Sequence, residues 1–251
     1  MFHRGRVTLL VSVLVGLCSP GLVHGQASAN KPVVAQGKVR IGLTKQKLEA
    51  EKLYAIQGTA SCNMTVQVYD SKREQLGFGD SRHIGKDHKA IVYLVPKTTQ
   101  DHTVVLIPST YIEKLSDNGE FDYAIGIVPV SLKVAKTIED KLTKKDRPFE
   151  TLSYHKSYTL KLKGGHVYQF DMKSDKLPCS LYLVDQDGIT VLSNSGTEKA
   201  KDARLVFACP ENAKYRIKAC TRLPDNVGPY TLTVQEGKAP ADVTAGKEKE
   251  K

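Results

Sequence analysis

The chain has no apolar run long enough to cross a membrane: its longest, Val7 to Leu17, falls well short of the roughly 20 residues that a spanning helix needs. It has no Gly-x-Ser-x-Gly elbow, which leaves serine hydrolysis of that type without its nucleophile turn. Lys and Arg are not clustered among aromatic platforms, so nucleic acid is not an expected partner. Neither Gly79-Asp80-Ser81 nor Ser193-Asn194-Ser195 carries the density of carboxylates that calcium requires. Long stretches of helical period are missing too, which argues against a bundle.

What is present begins with an export signature. Arg4 and Arg6 precede the apolar run, Ser19-Pro20-Gly21 breaks it, and Val23-His24-Gly25 offers small residues around a cleavage point. This pattern describes a secretory signal peptide spanning residues 1–25. The exported protein is expected in the periplasm or outside the cell, with no transmembrane segment in its mature part. Leu17 stands before Cys18, where a lipoprotein site wants a small residue, so a lipid anchor is not expected.

The formal charge of the whole chain is +10. The signal carries two basic residues and no acid, leaving +8, of which residues 26–130 hold +2 and residues 131–236 hold +5. An excess spread this thinly favours solubility and biases the protein toward anionic surfaces.

The same strand pattern occurs twice. LYAIQ, MTVQVYD, IVYLVP and FDYAIGIV from Leu53 onward return as VYQFD, CSLYLVD, LVFACP and GPYTLTV from Val167 onward. Tyr54 falls on Tyr168, Asp70 on Asp185, Pro96 on Pro210 and Tyr123 on Tyr230. Pro108 to Glu120 forms a longer loop in the first copy. A repeat of roughly 110 residues is domain-sized. Within each copy apolar residues alternate with polar ones, the period of half-buried antiparallel strands. Turn clusters such as Lys163-Gly164-Gly165, Asp185-Gln186-Asp187-Gly188 and Pro210-Glu211-Asn212 separate them.

The expected fold is therefore all-β: two tandem jelly-roll-like antiparallel β-sandwiches after a signal peptide. Residues 26–36 are expected as a flexible leader, 37–130 as the first sandwich, 131–236 as the second and 237–251 as a disordered tail. Leu132 to Leu142 reads as a strand, with a short helix as the alternative. Strand parity places Val66, Val68, Ile91, Tyr93, Phe170, Leu181, Leu183, Leu205, Phe207, Ile217, Leu232 and Val234 inside.

Four cysteines follow the signal. Cys62, Cys179 and Cys209 share faces with core residues, whereas Cys220 runs out of phase with Tyr215, Ile217 and Ala219. Three connectivities are possible in an oxidising compartment. If a disulfide forms, Cys179 to Cys209 is the expected one.

The stretch from Asp140 to Val234 carries Leu142, Thr143 and Asp146; Gly165 and Tyr168; Leu181, Leu183, Asp185 and Gly188; Ala203, Arg204 and Pro210; and Gly228, Tyr230 and Leu232. In these motifs it resembles the bacterial pre-peptidase C-terminal domain. The first copy is similar more faintly. The resemblance implies a jelly-roll-like accessory module of secreted bacterial proteins, appended to proteases and serving secretion, targeting, or binding to protein fibres or polysaccharide. Some such domains bind calcium after the Leu-x-Leu-x-Asp hairpin. Here Gly79-Asp80-Ser81 and Ser193-Asn194-Ser195 stand at that place, so no metal is expected.

Candidate chemistry is sparse. His83, Asp87 and His88 are too few for a zinc site without further ligands. Asp185/Asp187 and Asp70/Glu74 sit in repeated hairpin turns, where turn chemistry explains them. Surface tyrosines, Tyr69, Tyr111, Tyr154 and Tyr182, can contact sugar rings or peptide side chains. The binding candidates are Tyr182, Arg204 and Arg216 on the more basic second domain. Neither a catalytic residue nor a cofactor is expected. The resulting expectation is an exported, non-enzymatic binding or structural module, its partner an anionic polysaccharide or an extracellular or envelope protein. The alternatives are a secretion or folding partner of a separately encoded protease and a hydrolase with an unrecognised active site.

Overall fold

The computed structural model of the protein describes residues 33–39, 42–60, 62–80, 88–108, 121–149, 153–196, 201–224 and 226–240. Its regular elements are strands throughout. The first sandwich comprises β1 (Val33–Val39), β2 (Gly42–Leu48), β3 (Leu53–Ala60), β4 (Met64–Tyr69), β5 (Gln75–Asp80), β6 (His88–Leu94), β7 (Gln100–Pro108) and β8 (Phe121–Val130). The second comprises β9 (Lys133–Leu142), β10 (Arg147–Phe149), β11 (Ser153–Leu162), β12 (His166–Lys173), β13 (Cys179–Val184), β14 (Thr190–Ser195), β15 (Ala203–Cys209), β16 (Ala213–Thr221) and β17 (Gly228–Lys238).

Sheet order makes both domains jelly rolls. The first pairs a β1-β8-β3-β6 sheet with a β2-β7-β4-β5 sheet. The second pairs β9-β17-β12-β15 with β11-β16-β13-β14, to which β10 adds an edge strand. All neighbours are antiparallel. Alternate residues fill each core. Ile56, Met64, Val66, Leu106 and Ile125 do so in the first, and Phe170, Leu181, Leu183, Ile217 and Leu232 in the second.

The repeat extends to single hydrogen bonds. The Tyr54 hydroxyl accepts from the Glu49 amide at 3.1 Å, and the Tyr168 hydroxyl from the Lys163 amide at 2.9 Å. Asp70 Oδ1 takes the amides of Lys72 and Glu74, both at 2.8 Å, just as Asp185 Oδ1 takes those of Asp187 at 3.0 Å and Ile189 at 2.8 Å. These are Asx turns, in which a carboxylate caps its own hairpin. The left-handed position of that turn is Arg73 (φ 66°) in one copy and Gly188 (φ 90°) in the other. The alignment needs one adjustment. The Glu51 amide meets Pro96 O as the Gly165 amide meets Cys209 O, so Pro96 is equivalent to Cys209 rather than Pro210.

Several other expectations change. β1 starts at Val33 and pairs with β8 from Val33↔Ile127 onward, so the leader gives way to a strand before residue 36. β17 runs to Lys238, and the Ala239 amide donates to Gly165 O, which carries the second sandwich past residue 236. The signal segment, His83, Asp87, Tyr111 and the tail beyond residue 240 lie outside the described residues. Within the stretch from Leu132 to Leu142, Lys133–Leu142 is strand β9, as the strand reading expects. Ile91 and Tyr93 point away from the first core, whose β6 contribution is Ala90, Val92 and Leu94. The run IVYLV is apolar on both faces, which removes the alternation that parity needs, and the reason for two apolar faces is the neighbouring domain.

The β3/β6/β8 face that looks away from the first core packs on the equivalent β12/β15/β17 face of the second. Leu53, Ala55, Val130 and Val167 are buried there, with Tyr93, Val95, Leu132, Val206 and Ala239 against them. Leu53 and Val167 occupy matching positions, as do Tyr93 and Val206, so each domain contributes equivalent positions to this cluster. The other two sheets therefore form the outer sides of the molecule.

Candidate functional site

The outer sheet of the second domain presents one face to solvent. Its central strands β16 and β11 place Lys214, Arg216 and Thr159, Lys161 on that face, since Tyr215, Ile217, Leu160 and Leu162 between them turn inward. Cross-strand register makes a compact block of four: Thr159 stands opposite Arg216, and Lys161 opposite Lys214. All four are exposed. Directly opposite residues have Cβ atoms about 5 Å apart, and alternate residues on one strand are about 7 Å apart.

Like charges in that position repel. In the first domain the matching block reads Lys45 opposite Thr103 and Lys47 opposite Asp101, which puts a carboxylate against the cation. No Asp or Glu of β11, β13, β14 or β16 points out of this face in the second domain. Asp185, in the turn beside Arg216, is occupied by two turn amides. The Arg216 guanidinium leans toward that turn, with Nη2 at 3.7 Å from where a Cβ on Gly188 would lie.

Tyr182 lies on the same face, half-buried, between Lys218 of β16 and Ser193 of β14. Arg216 is one register step away, opposite Val184. Arg204 is not part of this group. It belongs to β15 in the other sheet, where its guanidinium donates to Asp171 Oδ1 at 2.5 Å and to Glu51 Oε2 at 2.8 Å, joining the two domains. Gln169 Nε2 completes that cluster on Asp171 Oδ2 at 2.7 Å. Tyr182 and Arg204 are not grouped because the chain crosses from one sheet to the other between β14 and β15.

The expected Cys179 to Cys209 bridge is also not formed; the four cysteines Cys62, Cys179, Cys209 and Cys220 are free thiols. The Cys179 amide donates to Lys201 O, and Cys209 lies eight residues beyond Lys201 at the far end of β15, opposite His166. An extended chain covers over 20 Å in that distance, while a disulfide needs Cα atoms within about 7 Å. Burial pushes the thiols of Cys179 and Cys220 up to about 12 and raises Cys209 and Cys62. Such thiols stay protonated near neutral pH and are poor nucleophiles.

A second polar cluster ties the sheets of the second domain together at its β9/β11 side. Asp140 Oδ1 accepts from Lys156 Nζ at 2.5 Å, and Oδ2 from the Tyr158 hydroxyl at 2.7 Å, which lies 2.5 Å from the Tyr230 hydroxyl. Partial burial raises the Asp140 carboxyl, but Lys156, Tyr158 and the Lys141 amide outweigh it and hold it below the usual range. Burial pushes Tyr158 up to about 12 and Tyr230 higher still. Every member is satisfied by another, which suits a clasp. Thr143 and Asp146 of the opening motif form a turn nearby, with the Thr143 amide and hydroxyl both donating to Asp146 Oδ2 at 2.6 and 2.9 Å.

Among the described residues no three of His, Cys, Asp and Glu gather as a metal-ligand set. Ser193, Asn194 and Ser195 belong to strand β14 itself rather than to a loop. No helix among the described residues is long and apolar enough to cross a membrane.

No family model matches the chain, and no curated protein matches it. Solved structures give distant likenesses. A protein from Eubacterium rectale described as secreted is 10% identical, over 85% of this chain and 75% of that one, with a TM-score of 0.28. A triple-jelly-roll protein of an archaeal virus is 12% identical over 84% and 60%, also at 0.28. The CBM22-1-CBM22-2 tandem domain of Paenibacillus barcinonensis Xyn10C is 10% identical over 86% and 95%, at 0.25. Likeness at this level carries no functional argument.

The residues missed from sequence are Thr159, Lys161 and Lys214. AKYRIK does show alternating cations. Seeing that LKLK lies beside it required the strand order.

Proposed function

We propose that the protein is an exported, non-enzymatic binding module of the pre-peptidase C-terminal type, acting in the periplasm or outside the cell, and that it holds an anionic polysaccharide on the outer sheet of its second domain. The observation that carries this reading is Lys161 facing Lys214, with Arg216 beside them, at a position where the first domain sets Lys47 against Asp101. A like-charge pair lowers stability locally, and an anionic ligand reverses that cost. Tyr182, on the same face, adds an aromatic ring that a sugar can contact. The Asx turn at Asp185 and the Thr143/Asp146 turn give the family motifs a structural role, which supports the assignment of type. Protonated, buried thiols and turn-bound carboxylates favour binding over catalysis.

The test is retention of the mature protein on immobilised dextran sulfate, carboxymethyl dextran and neutral dextran. Binding to the charged polymers that weakens as salt rises, and that falls when Lys161 and Lys214 are both changed to Ala, is the expected result. Equal retention on neutral dextran, or none on any charged polymer, overturns the reading.

A further inference from the structure

Resting on that reading, we infer that the block formed by Thr159, Lys161, Lys214 and Arg216 is a site for sulfate or phosphate ester groups on the polysaccharide, in preference to its carboxylates.

The block is a two-by-two array, Thr159↔Arg216 beside Lys161↔Lys214, on adjacent central strands. Their Cβ atoms mark four corners about 5 Å apart across the strands and about 7 Å apart along them, with the Arg216 guanidinium on the side of the Gly188 turn. Lys supplies a rotatable point charge with three donors, Arg a planar fork, and Thr a hydroxyl. A carboxylate offers two oxygens in one plane, so it serves Arg216 or the lysine pair well but not both. A sulfate or phosphate ester offers three terminal oxygens spread tetrahedrally, which lets one group meet donors from three directions. A phosphate ester can also carry up to two charges, closer to the three cations it faces.

The surroundings narrow the choice further. A single carboxylate among the cations, such as Asp101 supplies in the first domain, would occupy one lysine. None points out of this face from the strands around the block. Ser157, next along β11 on this face, is exposed as well. A polymer can therefore lie across the block without entering a cavity, and the site reads the charged group rather than the sugar ring.

The experiment compares dextran sulfate, dextran phosphate and carboxymethyl dextran of matched chain length and charge density, with Kd measured at one fixed ionic strength. The sulfate or phosphate polymer, or both, should bind about tenfold more tightly than the carboxymethyl polymer, as expected when one more charge-assisted hydrogen bond is made. The stronger of the two arms identifies the ester. Thr159→Val and Arg216→Lys, both of which keep the three cations of the block, should each shrink that preference; both residues are exposed, and circular dichroism and melting temperature check that folding is unchanged. Equal affinity for all three charged polymers, or a preference for carboxymethyl dextran, overturns this inference and leaves the proposed function standing. Absence of binding to every charged polymer overturns both. A preference for the ester polymers that is unchanged in Thr159→Val and Arg216→Lys moves the ester site elsewhere and overturns the assignment to this block.

Discussion

At the same point of the same fold, Lys47 faces Asp101 in the first domain and Lys161 faces Lys214 in the second. The row beyond the four-residue block differs as well. Leu43, Val105, Gln67 and Phe78 lie in line across the first outer sheet, where Ser157, Lys218, Tyr182 and Ser193 lie across the second. The cores, by contrast, keep the same tyrosine-to-amide bonds and the same Asx turns. Packing and turn geometry constrain buried and left-handed positions, whereas outward strand positions are free to change because nothing inside depends on them. Two copies of one scaffold can thus diverge in function through a few solvent-facing residues.

The polar clasp diverges too. In the second domain Asp140 joins Lys156, Tyr158 and Tyr230; at the matching places the first domain has Gly37, Gly42, Thr44 and Tyr123. A Cβ on Gly42 would fall 2.8 Å from the Tyr123 ring, so the ring fills the space that a lysine stem takes in the other copy.

The largest effect that sharpens this comparison is in the shared core. Ile56 and Phe170 occupy the same position and are both fully buried. Phe170→Ala should cost about 3–5 kcal/mol and Ile56→Ala about 2–5 kcal/mol, read by urea denaturation. Because the interface buries Leu53, Ala55, Val130 and Val167, each variant should shift a single shared transition. Two separate transitions, with only one moved, would show that the domains unfold independently.

Next is the clasp. Asp140→Asn removes the charge that Lys156 and Tyr158 meet and should cost about 1–2 kcal/mol. Asp140 is held below its usual range in the folded state, so its stabilisation is complete above about pH 4 and disappears as pH falls through the lowered value. Tyr158, raised to about 12, and Tyr230, raised further, contribute below about pH 10 and lose that contribution as pH climbs past it. Wild-type stability should therefore fall at both ends, and the acid limb should flatten in Asp140→Asn. An unchanged acid limb would show that other carboxyls govern it.

A smaller effect comes from converting the second block to the first domain's pattern. Lys214→Asp should raise stability by about 0.2–1 kcal/mol, by exchanging repulsion for attraction across the strands, while weakening binding to sulfated polymer. Smallest of all, Arg73→Gly gives the first hairpin the residue its counterpart has at Gly188. It should stabilise by about 0.5 kcal/mol by relieving a left-handed φ of 66°. A loss of stability would mean that the Arg73 side chain makes contacts worth more than the strain.

Much of the architecture was readable because two signals coincide in each copy. Alternation marked Phe170, Leu181 and Ile217 as interior, and the turn residues Asp70 and Asp185 marked the hairpins. Alternation failed at IVYLV, where Tyr93 and Val95 pack against the neighbouring domain rather than their own core. The cysteine pairing and the place of Arg204 were not legible, since both depend on which strand lies in which sheet, a property of the jelly-roll crossover rather than of local pattern. The binding face was half visible. Arg216 and Tyr182 belong to strands whose outward parity can be read directly, but Lys161 enters only through the β11/β16 register.

The account rests on the second outer sheet, and not the first, holding the anion. Lysine acetylation of the mature protein, read residue by residue by mass spectrometry with and without dextran sulfate, tests this directly. Lys161 and Lys214 should be protected by the polymer while Lys45 and Lys47, in the matching block of the first domain, remain as reactive as before. Equal protection of all four, or protection of Lys45 and Lys47 alone, would contradict it.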